Sequence, residues 1–294
     1  MAGNLTKTKR RIASIKSTKK ITKAMEMVAS VKLKRFKNAH ENGIDYLKEL
    51  EQEMGYLCHA EKEAIAKSGK GHISHYQREN EDAKGNLYIL VTSDLGLCAG
   101  YNSNLFRYFE EHFDKGKDTL APIGNKGLTH YSREGDYQID PFLSEIGLSV
   151  ERNDVLARCD KIKKDFNRGK YKKVILVYTH YKNSISFIPT METLLPLSIE
   201  LEDKPYRVYA PELLEESPNK LLHRFLPSYL YAKIRATLVE SQLSEQASRR
   251  NAMENANDNA DELLNKLTIE YNKARQGAIT QEITEVVSGS ASSN

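Results

Sequence analysis

The sequence contains no tryptophan and only three cysteines among its 294 residues. Cys58, Cys98 and Cys159 are far apart and odd in number, so we expect free thiols in a reducing compartment rather than a disulfide framework. No apolar run approaches the roughly 20 residues that a membrane-spanning helix needs. The N-terminus lacks the apolar segment of a secretory signal. These absences argue against a disulfide-stapled secreted protein and against direct insertion into a membrane.

Proline is absent between Ser228 and Val287, and glycine occurs there once, at Gly277. A helix of about 60 residues is roughly 90 Å long, which exceeds what one globular core can cover. Small and apolar residues recur along it at steps of three and four, which is typical of a narrow helical seam. They are Ala252, Ala256, Ala260, Leu263, Leu267, Tyr271, Ala274 and Ala278. This pattern predicts close pairing with a partner helix of similar length.

Acidic residues are scarce at the other end, where the first forty positions hold a dozen lysines and arginines and one acid, Glu26. Proline is absent here too, and a stripe of the same period predicts a second long helix over about residues 4–60. The stripe consists of Ile12, Ile15, Thr18, Thr22, Met25, Ala29, Lys32 and Phe36, widened by Ile21 and Val28. The opposite, basic face carries Lys9, Lys16, Lys20, Lys23 and Lys34. Three interpretations of this face are open: a solvated surface, a nucleic-acid or anionic-membrane surface, and a mitochondrial transit peptide.

The hydrophobic pattern changes in the middle of the chain, where short apolar runs alternate with helical patterns from Leu87 onward. This alternation predicts a mostly parallel sheet with right-handed crossovers. The last two runs, joined tightly at Lys182–Asn183, predict an antiparallel pair. The fold class is therefore α/β plus a long antiparallel helical coiled coil, in which the terminal helices pair as a rod around an inserted Rossmann-like α/β domain. We place the N-terminal helix at 1–62, the α/β domain at 85–202 and the C-terminal helix at 209–294.

Motifs for catalysis and cofactor binding are missing from the expected places. The stretch Ser93–Asn102 follows the first strand, where an α/β domain would hold a phosphate loop. Its glycines, Gly96 and Gly100, form neither a G-x-G nor a Gly-Lys-Ser/Thr pattern, and its cysteine has no neighbouring histidine. His72 and His75 lie three apart, without a cysteine or further histidine nearby to complete a metal site. We therefore expect no catalytic residue, no cofactor and no metal on this chain.

Four stretches resemble the gamma subunit of the F-type ATP synthase. Residues 11–35 (RIASIKSTKKITKAMEMVASVKLKR) resemble its opening helix, and 93–102 (SDLGLCAGYN) resemble its strand-end motif. Residues 244–267 (SEQASRRNAMENANDNADELLNKL) resemble its C-terminal helix, and 275–292 (RQGAITQEITEVVSGSAS) its C-terminal tip. The four stretches occur in the same order as in the family and include both ends and the middle, so the resemblance covers the whole chain. The departures from the family pattern are Leu95 for an arginine, Ala99 for a glycine and Arg250 for a methionine.

The resemblance implies a central rotor that couples ion flow through a membrane ring to ATP synthesis or hydrolysis. The paired helices would turn inside three alpha and three beta subunits. The α/β domain would sit on a ring of c subunits beside an epsilon subunit, at the cytoplasmic face of the cell membrane. The catalytic sites would lie on the partners, and this chain would bind neither nucleotide nor nucleic acid.

The resemblance also implies a set of contacts between rotor and stator. The positions that carry over are Lys20, Lys23, Met25, Arg249, Arg275, Gln276, Thr280 and Glu282. For each of them the alternative is an exposed helix residue without a partner. Two other functions stay open: a gamma-like axle of a specialised F-type ATPase whose base attaches to another motor or membrane partner, and a basic helical nucleic-acid-binding protein.

Overall fold

A computed structural model describes residues 2–69, 73–147, 149–199 and 214–291. The helices are α1 (Ala2–Ser68), α2 (Tyr101–Glu110), α3 (Asn125–Glu134), α4 (Pro141–Ser144), α5 (Arg152–Asn167) and α6 (Pro218–Ala291). The strands are β1 (Leu87–Val91), β2 (Thr119–Ile123), β3 (Gln138–Ile139), β4 (Val174–Tyr181) and β5 (Phe187–Leu195), and a 3-10 turn covers His75–Gln77. The chain divides into two compact units. The helix-pair unit contains residues up to Val31 and from Arg249, and the sheet unit contains Lys32–Ser248.

The C-terminal helix α6 begins at Pro218, ten residues before the proline-free stretch that starts at Ser228, and it contains Pro227. An interior proline removes a backbone hydrogen bond and costs about 3 kcal/mol. Leu226 and Leu230 on either side of it are fully buried, so apolar packing offsets that cost. Helix propensity alone does not predict a helix through Pro227, because it does not include the burial of the neighbouring leucines. Residue 209, where we predicted the helix to start, lies outside the described residues.

The sheet has the strand order β3-β2-β1-β4-β5. β1 pairs in parallel with β2 and β4, and β2 pairs in parallel with β3. β5 is antiparallel to β4, as the tight connection at Lys182–Asn183 predicted. The order reverses between β1 and β4, which is the switch point of a Rossmann-like sheet. The predicted α/β fold of the middle of the chain is therefore confirmed.

Strand β1 is buried on both faces, as expected of a central parallel strand. Leu87, Ile89 and Val91 belong to an apolar cluster with side chains of α1, α5 and α6. Tyr88 and Leu90 point the other way, into a second cluster with α2 and α3. The alternation follows from the two-residue period of a strand, and it places helices on both faces of the sheet.

An ion triad joins three elements of the sheet unit. The ammonium of Lys233 on α6 lies 2.7 Å from a carboxylate oxygen of Glu51 on α1 and 2.6 Å from one of Glu192 on β5. Burial opposes the charged form of Lys233, but hydrogen bonds to Glu192 and Glu51 outweigh it, so the pKa of this lysine is raised. Lys233 therefore stays charged and ties α6 to both neighbours.

All three cysteines are free and buried, in agreement with the expected free thiols. Burial raises the pKa of Cys58 and of Cys159 to about 12, so the reactive thiolate is scarce at neutral pH. Cys98 is 2% exposed. These thiols are structural and shielded from reagents.

Candidate functional site

The two long helices pair in the helix-pair unit, where their contacts run in opposite directions. Lys19 on α1 forms an ion pair with Asp261 on α6. Further along α1, Thr22 and Glu26 contact Asn257, which precedes Asp261 in the chain. Residue numbers thus rise on one helix while they fall on the other. This confirms the predicted antiparallel pairing within this unit.

The buried row of α6 lies one residue away from the predicted seam in its first part, whereas Leu267 is buried as predicted. Met253 and Asn257 are each 5% exposed, whereas Ala252 and Ala256 are only partly buried. Leu263, predicted in the seam, is 39% exposed. The prediction favoured small and apolar residues and passed over the polar Asn257. Ala252 and Ala256 therefore lie at the edge of the seam, and Asn257 lies inside it.

The predicted stripe of α1 was also wrong at four positions. Thr18 and Lys32 are exposed, and Ile21 and Val28 are 60% and 55% exposed instead of widening the seam. Val31 follows Val28 at a helical step of three and is exposed as well. We call Ile21, Val28 and Val31 the α1 apolar strip. Exposed β-branched side chains aligned on one helix face are typical of a surface that another protein covers.

Of the predicted contact residues on α1, Lys20 and Lys23 are exposed and Met25 is half-buried. The ammonium of Lys23 lies 2.9 and 3.0 Å from the two carboxylate oxygens of Glu26. This hydrogen bond raises the pKa of Lys23 and lowers that of Glu26. Lys23 is therefore already paired with an acid of its own chain, whereas the side chain of Lys20 is exposed to solvent.

Arg249 differs from the other predicted contacts on α6, because it is only 6% exposed. An exposed helix residue without a partner is thus not the right description of this position. A guanidinium holds its charge even when buried and offers five donors in a rigid fork. The sequence placed Arg249 among the contacts by resemblance, and gave no sign of its burial.

The remaining predicted contacts, Arg275, Gln276, Thr280 and Glu282, lie on an exposed part of α6. The hydroxyl of Thr280 donates to the backbone carbonyl of Gln276 at 2.9 Å. Ile279, Ile283 and Val286 are exposed beside them, at 47%, 59% and 72%. The structure therefore places these four on one exposed stretch of α6 that mixes apolar and polar groups. Lys20, Lys23 and Met25 lie elsewhere along the helix pair, near the level of Asn257 and Asp261.

The segment Ser93–Asn102, which leaves β1 and enters the first turn of α2, contains a strained loop. Leu97 and Ala99 have φ values of 61° and 48°, in the left-handed region that favours glycine. Between them the carbonyl of Cys98 accepts a hydrogen bond of 2.8 Å from the hydroxyl of Ser248. The Asn102 amide donates to the Ser93 hydroxyl at 2.7 Å. Such contacts from both sides are what allows strain of this kind to persist.

The carboxyl edge of the sheet has an acid where a phosphate loop would need donors. A carboxylate oxygen of Asp94 accepts a hydrogen bond of 3.0 Å from the backbone N–H of Asn125, the first residue of α3. A helix N-terminus attracts anions, and here the chain supplies its own. A bound phosphate would meet a negative charge at this point.

Neither a metal cluster nor a membrane span appears in the part of the chain that the structure describes. No group of three or more His, Cys, Asp or Glu residues is placed to hold a metal ion there. His75 belongs to the 3-10 turn, and His72 lies outside the described residues. None of the described helices is long and apolar enough to cross a bilayer.

Comparison with known proteins identifies the family. A family model described as ATP synthase matches residues 4–292. A curated relative, the sodium-ion-specific ATP synthase gamma chain of Acetobacterium woodii, is 34% identical over 315 residues and is covered completely, as is this chain. The chain belongs to the ATP synthase gamma family. This confirms the resemblance, and with it the prediction of a gamma subunit of an F-type ATP synthase.

Solved structures from mitochondrial ATP synthases share the fold of this gamma-family chain. One from Euglena gracilis mitochondrial ATP synthase (OSCP/F1/c-ring, rotational state 3) matches with a TM-score of 0.65 at 17% identity, covering 99% of this chain and 95% of that one. Another, of the central stalk and c-ring of Tetrahymena thermophila mitochondrial ATP synthase, matches with a TM-score of 0.55 at 26% identity, covering 80% and 99%. These matches confirm the predicted fold class. They give no support to a nucleic-acid-binding function.

The strained loop leads to a prediction about Ala99, which replaces the glycine usual in the gamma family. The left-handed conformation costs a non-glycine residue roughly 1–2 kcal/mol, and glycine loses about 0.5–1 kcal/mol more backbone entropy on folding. We therefore expect Ala99→Gly to raise the free energy of unfolding by about 0.5–1 kcal/mol, measured by urea titration. The matched change Ala256→Gly, inside α6, should lower it by about 1 kcal/mol. Equal destabilisation by both changes would contradict strain at Ala99.

Proposed function

We propose that this chain is the central rotor of an F-type ATP synthase and that it catalyses no reaction itself. The observation that carries this proposal is the antiparallel helix pair, which leaves the predicted contact residues of its outer end exposed. Two long helices that pair through small side chains form a thin and stiff rod, as an axle must be. Family membership supplies the context in which such an axle turns.

The partners follow from the same family. The helix pair would lie inside a ring of three alpha and three beta subunits, and the sheet unit would contact the c-ring and the epsilon subunit. The structures from Euglena gracilis and Tetrahymena thermophila are supporting parallels, since the description of the first includes F1 and a c-ring and that of the second a central stalk and a c-ring. The complex would sit at the cytoplasmic face of the cell membrane, with this chain peripheral to the bilayer.

A non-catalytic role agrees with the chemistry of the sheet edge. Asp94 occupies the N-terminus of α3, where a nucleotide phosphate would otherwise be stabilised. Cys98 is too buried to act as a nucleophile. The nucleotide chemistry would therefore belong to the alpha and beta subunits, and this chain would alter it by contact alone.

Transmission of torque requires surfaces that differ around the axle, because a rotor shifts its partners only through unequal contacts with their different states. One side of α1 carries Lys20 and its basic neighbours, and the α1 apolar strip is exposed as well. On α6 the apolar side chains around Ile283 adjoin Arg275 and Glu282. We propose that these surfaces, together with Arg249, are the contacts between rotor and stator.

The basic face provides a test in the assembled complex. Reversing Lys9, Lys16 and Lys20 to Glu should reduce ion pumping driven by ATP hydrolysis at least several-fold, because electrostatic complementarity sets register more than affinity. Single exposed pairs contribute only about 0–1 kcal/mol, so the three changes are combined. Lys23 is left in place because it holds Glu26.

The control carries the same charge change at exposed lysines of the sheet unit, namely Lys84, Lys182 and Lys220. It should pump at nearly the parent rate. If the α1 triple variant assembles and pumps like the parent, the basic face is merely solvated, and the contact role of Lys20 has to be abandoned.

A further inference from the structure

A small polar cluster lies in the seam of the helix-pair unit. The hydroxyl of Thr22 donates to the side-chain oxygen of Asn257, and the Asn257 amide nitrogen donates to a Glu26 carboxylate oxygen at 2.7 Å. Asn257 is 5% exposed, and the Glu26 side chain is 16% exposed. Each polar atom of the amide thus has a partner of the matching kind on α1. Buried amides with complete hydrogen bonding are known for fixing the alignment of paired helices.

The alanines around this cluster do not define an alignment by themselves. Ala252, Ala256 and Ala260 are spaced four residues apart. If α6 slides along α1 by four residues, about 6 Å, in either direction, two of these three alanine positions are taken by another alanine. The shape of this edge of the seam would hardly change. Within the helix-pair unit, something other than alanine packing must therefore select one register.

The polar cluster does discriminate between registers. A slide of four residues in one direction places Met253 opposite Glu26, where the thioether offers the carboxylate no hydrogen-bond donor. A slide in the other direction places Asp261 there, so that two carboxylates face each other. In both cases Lys19 loses Asp261 and faces an asparagine, Asn257 or Asn265.

We infer that Asn257, with Thr22 and Glu26, is the register key of the helix pair. It selects the one alignment in which the amide and the carboxylate are both satisfied. This deepens the proposed rotor function. An axle that contacts its partners through residues of both helices needs a fixed axial position of one helix relative to the other. The register itself does not depend on that function, so it is tested on the isolated full-length chain.

The test measures the distance between nitroxide labels on cysteines introduced at Ser17 and Asn272, both exposed, by pulsed electron paramagnetic resonance. The native thiols are buried and remain unlabelled. The parent should give one narrow distance. In Asn257→Asp at pH 8 a carboxylate faces Glu26, whereas a slide of four residues pairs the new carboxylate with Lys19. We therefore expect a second population, longer by about 6 Å.

Restoring the hydrogen bond should restore the register. Glu26→Gln combined with Asn257→Asp reverses donor and acceptor, so the single parent distance should return, which a general loss of stability would not produce. Asn257→Ala removes the key without adding charge and should broaden the distance distribution. Asn259→Asp makes the same chemical change at an exposed position and should leave the parent distance unaltered.

The inference is overturned if Asn257→Asp and Asn257→Ala both keep the parent distance while helicity is retained. It is also overturned if the double variant stays shifted. Because no partner subunit takes part, either result would leave the rotor proposal standing, and failure of the rotor proposal in the assembled complex would leave the register key untouched.

Discussion

ATP hydrolysis by the assembled complex should stop when Lys20 is replaced by cysteine and cross-linked to a cysteine in the facing loop of one beta subunit. An axle must move past each beta subunit during turnover, so a covalent tether to one of them should abolish multiple turnovers. A disulfide forms only while the two Cα atoms are within about 7 Å, so cross-linking also reports the contact at Lys20. Reduction should restore activity, because thiol exchange breaks the tether and leaves the fold unchanged.

The cross-linking experiment has an internal control in the buried native thiols. Cys58, Cys98 and Cys159 stay shielded, so a complex that carries only the Lys20→Cys change should retain its activity under oxidation. A static scaffold would behave differently, since it would cross-link without loss of hydrolysis. Full activity in a quantitatively cross-linked complex would refute the rotor proposal for this chain.

Replacing Lys233 with alanine should destabilise the chain by about 3 kcal/mol, measured as the free energy of unfolding in urea. Its removal leaves Glu51 and Glu192 close together without their cation, and breaking a buried ion pair from one side costs about 3–5 kcal/mol. We expect the lower end of that range, because the two carboxylate side chains are 29% and 37% exposed.

Two further variants separate the ion triad from mere loss of side-chain volume. Lys266→Ala removes a lysine whose pair with Glu262 is exposed on both sides, and should change stability by no more than about 0.5 kcal/mol. Lys233→Met combined with Glu51→Gln and Glu192→Gln removes the charges together and should recover most of the loss. A Lys233→Ala chain as stable as the parent would show that the triad contributes nothing.

Helix existence, strand existence and family were open to sequence reasoning, because each depends on local or repeated signals. The lack of proline from Ser228 to Val287 allows a continuous helix, and a run of five apolar residues such as Leu87–Val91 indicates a strand covered on both faces. The antiparallel pair around Lys182–Asn183 follows from the shortness of the connection. None of these inferences needs to know what lies next to the segment.

The position of the seam depended on the partner helix, and only the tertiary structure could decide it. A polar residue such as Asn257 is buried when another helix satisfies both ends of its amide, and no local pattern records that Thr22 and Glu26 do so. The same reason applies to the exposed Ile21 and to the buried Arg249. Periodicity thus determined that a seam exists, and hydrogen bonds across a distance of more than two hundred residues in the chain decided which side chains form it.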